Sequence, residues 1–281
     1  MNFKIIHKKV GETPLDVLER FRTDNSEYAD FASVPMTYAG RLDPMAEGKL
    51  LILIGDECKN KEKYLGLDKE YEVEILFGVD TDTHDVLGRI LKVYTGAKAA
   101  ENFSKNYVQN DLRNKLQNNV QKYVGKFVQK YPAFSSRTVG GKALHVHARA
   151  GTLPEDGDDL DSSNSSNWPK KSVEIYSIEV LEICSKIGNV VATQAIENIG
   201  QLKEKVEGDF RKKEILQDWG DFEKKYGEAL FTIIKIRVAC SSGTYMRSLA
   251  KRMGDDIGGD VSLGVPGALA FSIVRTKIGE Y

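Results

Sequence analysis

The sequence predicts an α+β fold, and three observations carry that expectation. The stretches Tyr71 to Phe77, Lys171 to Cys184 and Phe231 to Ala239 alternate apolar and polar residues at the period of a strand. Over 97–124, Phe103, Tyr107, Leu112, Leu116, Val120 and Val124 recur mostly every four residues, which is helical spacing. The strands fall in hairpin-like neighbours rather than in regular strand–helix–strand alternation, which separates α+β from α/β.

In chain order, Phe3 to His7 reads as a short strand. Gly11-Glu12-Thr13-Pro14 then opens a helix, with Thr13 as N-cap, Pro14 at the first position and Leu15, Leu18 and Phe21 or Arg22 on one face. A polar loop over Thr23 to Asp30 follows. The apolar run Leu50-Leu51-Ile52-Leu53-Ile54 reads as the buried side of a helix opened by Pro44. Lys59 to Lys63 is a charged, solvated segment. Gly78 ends the strand that starts at Tyr71, and a second strand over Arg89 to Tyr94 follows the turn Asp80 to Gly88.

Gly125 to Gly151 is rich in loop residues. Residues 153–169, acidic and then rich in Ser and Asn, read as a mobile loop. Residues 185–227 interrupt the sheet, and Leu202, Val206, Phe210, Ile215, Trp219, Phe222 and Tyr226 suggest one or two amphipathic helices packed on their own apolar face. Ser242-Gly243-Thr244 starts a helix over Tyr245 to Met253, and Leu269 to Thr276 is a last strand. With no internal repeat, residues 1–281 read as a single domain.

The composition excludes several classes. Hydrophobic residues make up 41% and charged residues 29%, an ordinary soluble balance. No apolar run approaches the ~20 residues that cross a bilayer, and the start is too soon polar for a secretory signal. Cys58, Cys184 and Cys240 lie far apart, so neither a disulfide framework nor a zinc knuckle is indicated. A cytoplasmic monomer is the default expectation. Forty Lys and Arg offset 41 acids, so any nucleic-acid surface must be a local basic face.

The stretch Gly40-Arg41-Leu42-Asp43-Pro44-Met45-Ala46-Glu47-Gly48 holds one carboxylate ahead of a proline. Two readings stand. Asp43 caps the helix that Pro44 opens, or it is displayed there as a functional carboxylate, with Gly40 letting a ligand approach the backbone. Other chemistries lack their usual entry. Asp80-x-Asp82-x-His84 fails as a calcium loop, because Asp85 stands where Gly is needed and Leu91 where Glu is needed. His145-x-His147 lacks a third metal ligand. No phosphate loop, dinucleotide fingerprint or nucleophile elbow occurs.

With these segments in hand, the chain resembles the TruB family of tRNA pseudouridine synthases. Gly40 to Gly48 is similar to that family's G-x-L-D-P-x-A-x-G, and Lys69-Glu70-Tyr71 to its K-x-Y strand start. Asp82-Thr83-His84-Asp85, with Gly88, is similar to its D-T-x-D-x-x-G turn. Ser242-Gly243-Thr244-Tyr245-Met246-Arg247-Ser248-Leu249 is similar to its S/K-G-T-Y-I-R-x-L helix start. Pro132, Ser136, Gly141 and Ala148-Arg149-x-Gly151 fit the loop that clasps RNA in the family. Tyr38 and Ala39 depart from the usual His-Thr pair, residues 185–227 have no counterpart, and the C-terminal RNA-binding domain of many relatives is missing.

The resemblance implies the pseudouridine-synthase fold, a mixed, mostly antiparallel sheet flanked by helices. It implies a cofactor-free and metal-free isomerase that converts uridine to pseudouridine in the T-loop of tRNA, at position 55. Two alternatives are a tRNA-binding and folding module without catalysis, and the same chemistry on another RNA. Asp43 is implied as the catalytic residue, with Arg247 paired to it and Tyr71 against the uracil face. Tyr38, Lys69, Asp85, Arg137, Lys142 and Arg149 are the expected RNA contacts, with Asp85 able to hydrogen-bond either Arg247 or the RNA. Lys69, Arg137, Lys142, Arg149 and Arg247 would form one basic face, with the acidic residues 155–161 turned away.

Overall fold

The computed structural model describes residues 2–25, 34–95, 114, 116–153, 168–203, 210–258 and 266–281. An eight-stranded sheet organises them. Its strands are β1 (Phe3–Lys8), β2 (Met36–Ala39), β3 (Ala46–Ile54), β4 (Lys69–Phe77), β7 (Gly125–Lys130), β10 (Lys170–Ile187), β11 (Leu230–Cys240) and β12 (Ala268–Ile278). The order is β1-β3-β12-β4-β11-β10-β7, with β2 also on β3. Every pairing is antiparallel except β3 with β12. The sheet is thus mixed and mostly antiparallel, and the fold is α+β.

Helices cover both faces. On one side, α6 (Met246–Gly258) lays Met246, Leu249, Ala250 and Met253 on Val73, Ile75, Ile234 and Ile236. Leu116 and Val120 of the helical turn at 116–120 join that core, whereas Phe103, Tyr107 and Leu112 lie outside the described residues. On the other side, α4 (Gly188–Gly200) and α5 (Lys212–Tyr226) lay Val191, Ala195, Trp219 and Phe222 on Leu76, Ile233, Leu269 and Phe271. The apolar face of this inserted pair therefore seals a sheet as well as itself. β10 runs on to Ile187, so the helical part begins three residues later than the sequence reading placed it.

The helix α1 (Pro14–Asp24) starts as its sequence dictates. The Thr13 hydroxyl accepts from the Asp16 N–H at 3.2 Å, and the Asp16 carboxylate accepts from the Thr13 N–H at 2.7 Å, a reciprocal capping box. Its buried residues are Val17, Leu18, Phe21 and Arg22, while Leu15 is 52% exposed. The stripe is the expected one at Leu18, Phe21 and Arg22, with Val17 rather than Leu15 completing it.

The larger correction is at Pro44, which opens no helix. The Ala46 N–H returns to Asp43 O at 3.0 Å, so Asp43-Pro44-Met45-Ala46 is a β-turn with proline at its second position. The following run is β3. Leu50, Ile52 and Ile54 pack on α1, and Leu51 and Leu53 pack on the opposite side with Tyr64 and Ile278. A strand covered on both faces reads as a continuous apolar run, and periodicity cannot tell it from a buried helix.

Other elements differ in detail. The charged segment at 59–63 contributes to a short helix, α2 (Lys61–Leu65). Two small hairpins form, β5 (Val79–Thr81) with β6 (Ile90–Val93), and β8 (Thr138–Val139) with β9 (Lys142–Ala143). Residues 125–151, expected as loop, hold β7, that second hairpin and the helix α3 (Leu144–Ala150). The expected loop over 153–169 lies mostly outside the described residues, as do the acidic residues 155–161. At its end, Trp168 is buried and donates its indole N–H to Tyr131 O at 2.8 Å.

Candidate active site

The loop between β2 and β3 presents Asp43. Gly40 turns the chain with φ of 80°, a left-handed value that favours glycine. A Cβ there would meet its neighbours at 3.5 Å or more, so the backbone angle, not space, requires the glycine. At Gly48 both apply: φ is 109°, and a Cβ would lie 2.3 Å from the O of Arg275, its register partner on β12.

Two buried cations hold this loop by its carbonyls. Lys8, fully buried, points Nζ at Ala46 O (2.5 Å), Lys9 O (3.1 Å) and Pro44 O (3.2 Å). Burial lowers its pKa to about 8, with the Asp43 charge pulling the other way. Arg275, also fully buried, donates to Lys49 O (2.7 Å), Gly40 O (3.2 Å) and Arg41 O (3.3 Å). Sequence reasoning singled out neither residue.

Arg247, from the start of α6, reaches the loop from across the sheet. Its Nε donates to Asp43 Oδ2 at 2.7 Å, Nη1 to Thr83 O at 2.8 Å and Nη2 to Phe134 O at 3.2 Å. Asp85 Oδ2 lies 3.7 Å from the same Nε. Burial works against the guanidinium charge, but Asp43 and Asp85 outweigh it and raise its pKa. Burial also pushes the Asp85 carboxyl up to about 6, against the pull of Arg247. The Asp43 side chain stays 38% exposed, while those of Arg247 and Asp85 are at 3% and 6%. The arrangement is one accessible carboxylate, pinned by a cation that a second, interior carboxylate supports.

A cavity of about 900 Å³ opens over Asp43. Tyr38, Lys69, Tyr71, Arg137 and Arg149 line it, together with Asp85 and Arg247. Burial raises the Tyr71 hydroxyl pKa, with Arg275 opposing. Lys61 Nζ sits 5.4 Å over the Tyr38 ring. Tyr245, edge-on to Tyr131 at 5.8 Å, completes an aromatic corner, and burial takes its pKa to about 12.

The expected basic face needs correction. Lys69 is buried, and its Nζ is bound to Leu65 O at 2.9 Å and to Leu67 O, with burial lowering its pKa to about 8. Arg247 is interior as well. Asp85 is buried and held by Thr83 Oγ1 at 2.6 Å and the Leu87 N–H at 3.0 Å, so it anchors Arg247 rather than meeting a ligand at the surface. Arg137, Lys142 and Arg149 are exposed, and Lys142 stands on β9 outside the cavity lining. His145 and His147 lie on α3, with ring nitrogens on Ser135 O and Val139 O at 3.0 and 3.2 Å. Among the described residues no group of three metal-ligating side chains occurs, and no helix is long and apolar enough to cross a membrane.

Residues 32–198 match the TruB family pseudouridylate synthase N-terminal domain. The chain belongs to that family. A tRNA pseudouridine synthase B from Chloroherpeton thalassium is 25% identical over 280 residues, covering 99% of this chain and 83% of the relative. Another, from Aquifex aeolicus, is 32% identical over 92 residues, covering 33% of this chain and 30% of the relative. For a third, from Xanthomonas axonopodis, the chain spans about half the relative's length, 49% at 27% identity. A solved Cbf5-Nop10-Gar1 complex overlays with a TM-score of 0.47 at 16% identity, covering 99% of this chain and 49% of that one. The fold description rests on the strand order above rather than on that overlay.

Proposed function

We propose that this protein isomerises uridine to pseudouridine in tRNA, at position 55 of the T-loop, with Asp43 as the catalytic carboxylate. The observation that carries the reading is the 2.7 Å pair of Arg247 Nε with Asp43 Oδ2 at the floor of a 900 Å³ cavity. Family membership and the relatives, tRNA pseudouridine synthases B, support the substrate class.

The reaction breaks the N-glycosidic bond, turns the uracil and joins C5 to C1′; the C5 proton leaves and N1 gains one, so atoms and electrons balance. Asp43 acts as nucleophile at the sugar or at the base, or as base assisting glycal formation at the sugar. Arg247 aims it, since three of its donors are fixed by Asp43 and two carbonyls. Tyr71 lies in the cavity wall where a uracil face would stack. Extruding the base from a folded loop costs a few kcal/mol, offset by that stacking and by edge contacts. Arg137 and Lys142 supply phosphate contacts, and Arg149 adds its positive charge at the cavity wall. The enzyme works as a monomer in the cytoplasm.

The test is pseudouridine formation on an unmodified tRNA transcript, beside a transcript carrying C at position 55. Product on the first alone supports the assignment. A folded wild type that yields none on the first transcript sinks it.

A further inference from the structure

The inserted helical pair is tied at three points to one turn. Trp219 Nε1 donates to Val86 O at 3.0 Å. Asp218 accepts from Arg89 Nε at 2.5 Å and from the Ile90 N–H at 3.1 Å. Arg211 grips Asp82 with two bonds of 2.5 and 3.2 Å. The same turn carries Thr83 and Asp85, which hold Arg247. The start of α5 is therefore fixed relative to Asp43.

Arg211 has φ of 56°, a left-handed backbone that a non-glycine residue adopts only when its surroundings impose it. Here the forked bond to Asp82 imposes it. The residue before it, Phe210, lines the cavity that holds Asp43. Arg149 Cζ lies 5.3 Å over the Phe210 ring, and Arg211 Cζ lies 4.7 Å over Phe134. A third pair, Arg137 over Tyr131 at 5.3 Å, continues the wall. The cleft is thus edged by guanidinium groups in cation–π contact with rings, and two of these pairs depend on the insertion.

A phosphate takes the guanidinium by its edge, through the charged N–H fork, whereas an unpaired base stacks on its face. A ring on one side of the guanidinium restrains it and leaves the other side for such a base. Arg149 is exposed and lines the cavity. We propose that Phe210, supplied by the insertion, is a positioning residue that holds Arg149 flat as a stacking platform for an unpaired base beside the target uridine. This rests on RNA being the substrate. It gives the insertion a role in choosing RNA loops with an unstacked neighbour.

The experiment measures binding of a T-loop hairpin RNA to the full chain at several salt concentrations, for wild type, Phe210→Leu, Phe210→Tyr and Arg149→Lys. A second hairpin is abasic at the nucleotides flanking the target. Phe210→Leu and Arg149→Lys each weaken binding of the intact hairpin on the order of tenfold, with the salt slope unchanged. Phe210→Tyr restores it, and the abasic hairpin removes the difference between wild type and variants. If Arg149→Lys binds like wild type, or Phe210→Leu is silent, the platform is wrong and Arg149 is a plain phosphate contact. Arg149→Lys is a surface change that carries the test even if Phe210→Leu folds poorly. A wild type that binds neither hairpin overturns the RNA reading itself, an outcome distinct from silent variants of a binding protein.

Discussion

Arg247→Met is the most informative single change, because it removes charge and hydrogen bonds while keeping most of the packed volume. Three donors are lost, to Asp43, Thr83 O and Phe134 O. Asp43 is open enough to take water instead. Asp85 is not, since its side chain is 6% exposed. Removing one partner of a buried pair costs roughly 3–5 kcal/mol, and the Asp85 share depends on pH. In the wild type its pKa is about 6 against 3.8 for the free group, with Arg247 holding it down. Without Arg247 the folded value climbs further while the unfolded one stays.

From pH 6 up to that new value, the folded variant binds one more proton than the unfolded chain. Its stability then falls with rising pH by about 1.4 kcal/mol per pH unit. In the wild type this group is half titrated at about 6, so it loses only a further ~0.4 kcal/mol above that. The gap in stability between the two proteins therefore widens from pH 6 to pH 8, by up to ~2.4 kcal/mol. Urea unfolding at the two pH values measures it. An equal gap at both would refute the reasoning, because Asp85 would then not be the group left stranded. Pseudouridine formation should fall by at least ~10²-fold with Arg247 gone.

Asp43→Asn should abolish product, by roughly 10³-fold or more, while RNA affinity stays near wild type in a filter-binding assay. Lys8→Met should flatten the alkaline side of the stability profile. The Lys8 pKa is about 8 folded against 10.5 free, so the unfolded chain binds more protons between those values, and wild-type stability rises with pH there at about 1.4 kcal/mol per unit from this group. Unfolding at pH 8 and 9.5 should show that rise reduced in the variant. Because only Arg137, Lys142 and Arg149 of the expected basic face are exposed, log affinity for RNA against log salt should have a slope of about −2 to −3, and Lys142→Ala with Arg149→Ala should reduce its magnitude to about 1.

The fold was legible where one face of an element is less covered. Glu72 and Glu74 alternate with buried Val73 and Ile75, and Lys235 and Arg237 with Ile236 and Val238, although both strands end in runs buried on both faces, Ile75 to Phe77 and Phe231 to Ile234. Thr13-Pro14 announces α1 by a cap that needs no tertiary partner. Leu50 to Ile54 was misread because α1 covers one face and Tyr64 with Ile278 the other, which erases the alternation. Pro44 gave no help, since its fixed φ suits a turn as well as a first helical turn. The meeting of Asp43, Asp85 and Arg247 was legible through motif resemblance, because segments some 160 and 200 residues apart in the chain approach by pairing across the sheet, not by local rule.

What the sequence could not show is which charges go inside. Lys8, Arg275, Arg247 and Lys69 are all buried, yet in sequence they look like surface cations. Each is bound to backbone oxygens. Lys8 and Arg275 take the carbonyls of Gly40, Arg41, Pro44, Ala46 and Lys49, which brackets Asp43 on both sides. A buried cation costs several kcal/mol in lost hydration unless its donors are filled, and here carbonyls fill them. The loop is consequently held by its backbone as well as by the buried side chains of Leu42, Met45 and Ala46. The residues that set backbone angle or approach, Gly40 and Gly48, and the one whose side chain is displayed, Asp43, are restricted beyond that packing. That physical restriction explains why a glycine–aspartate spacing could mark the site, while the lysine and arginine that secure it left no motif to read.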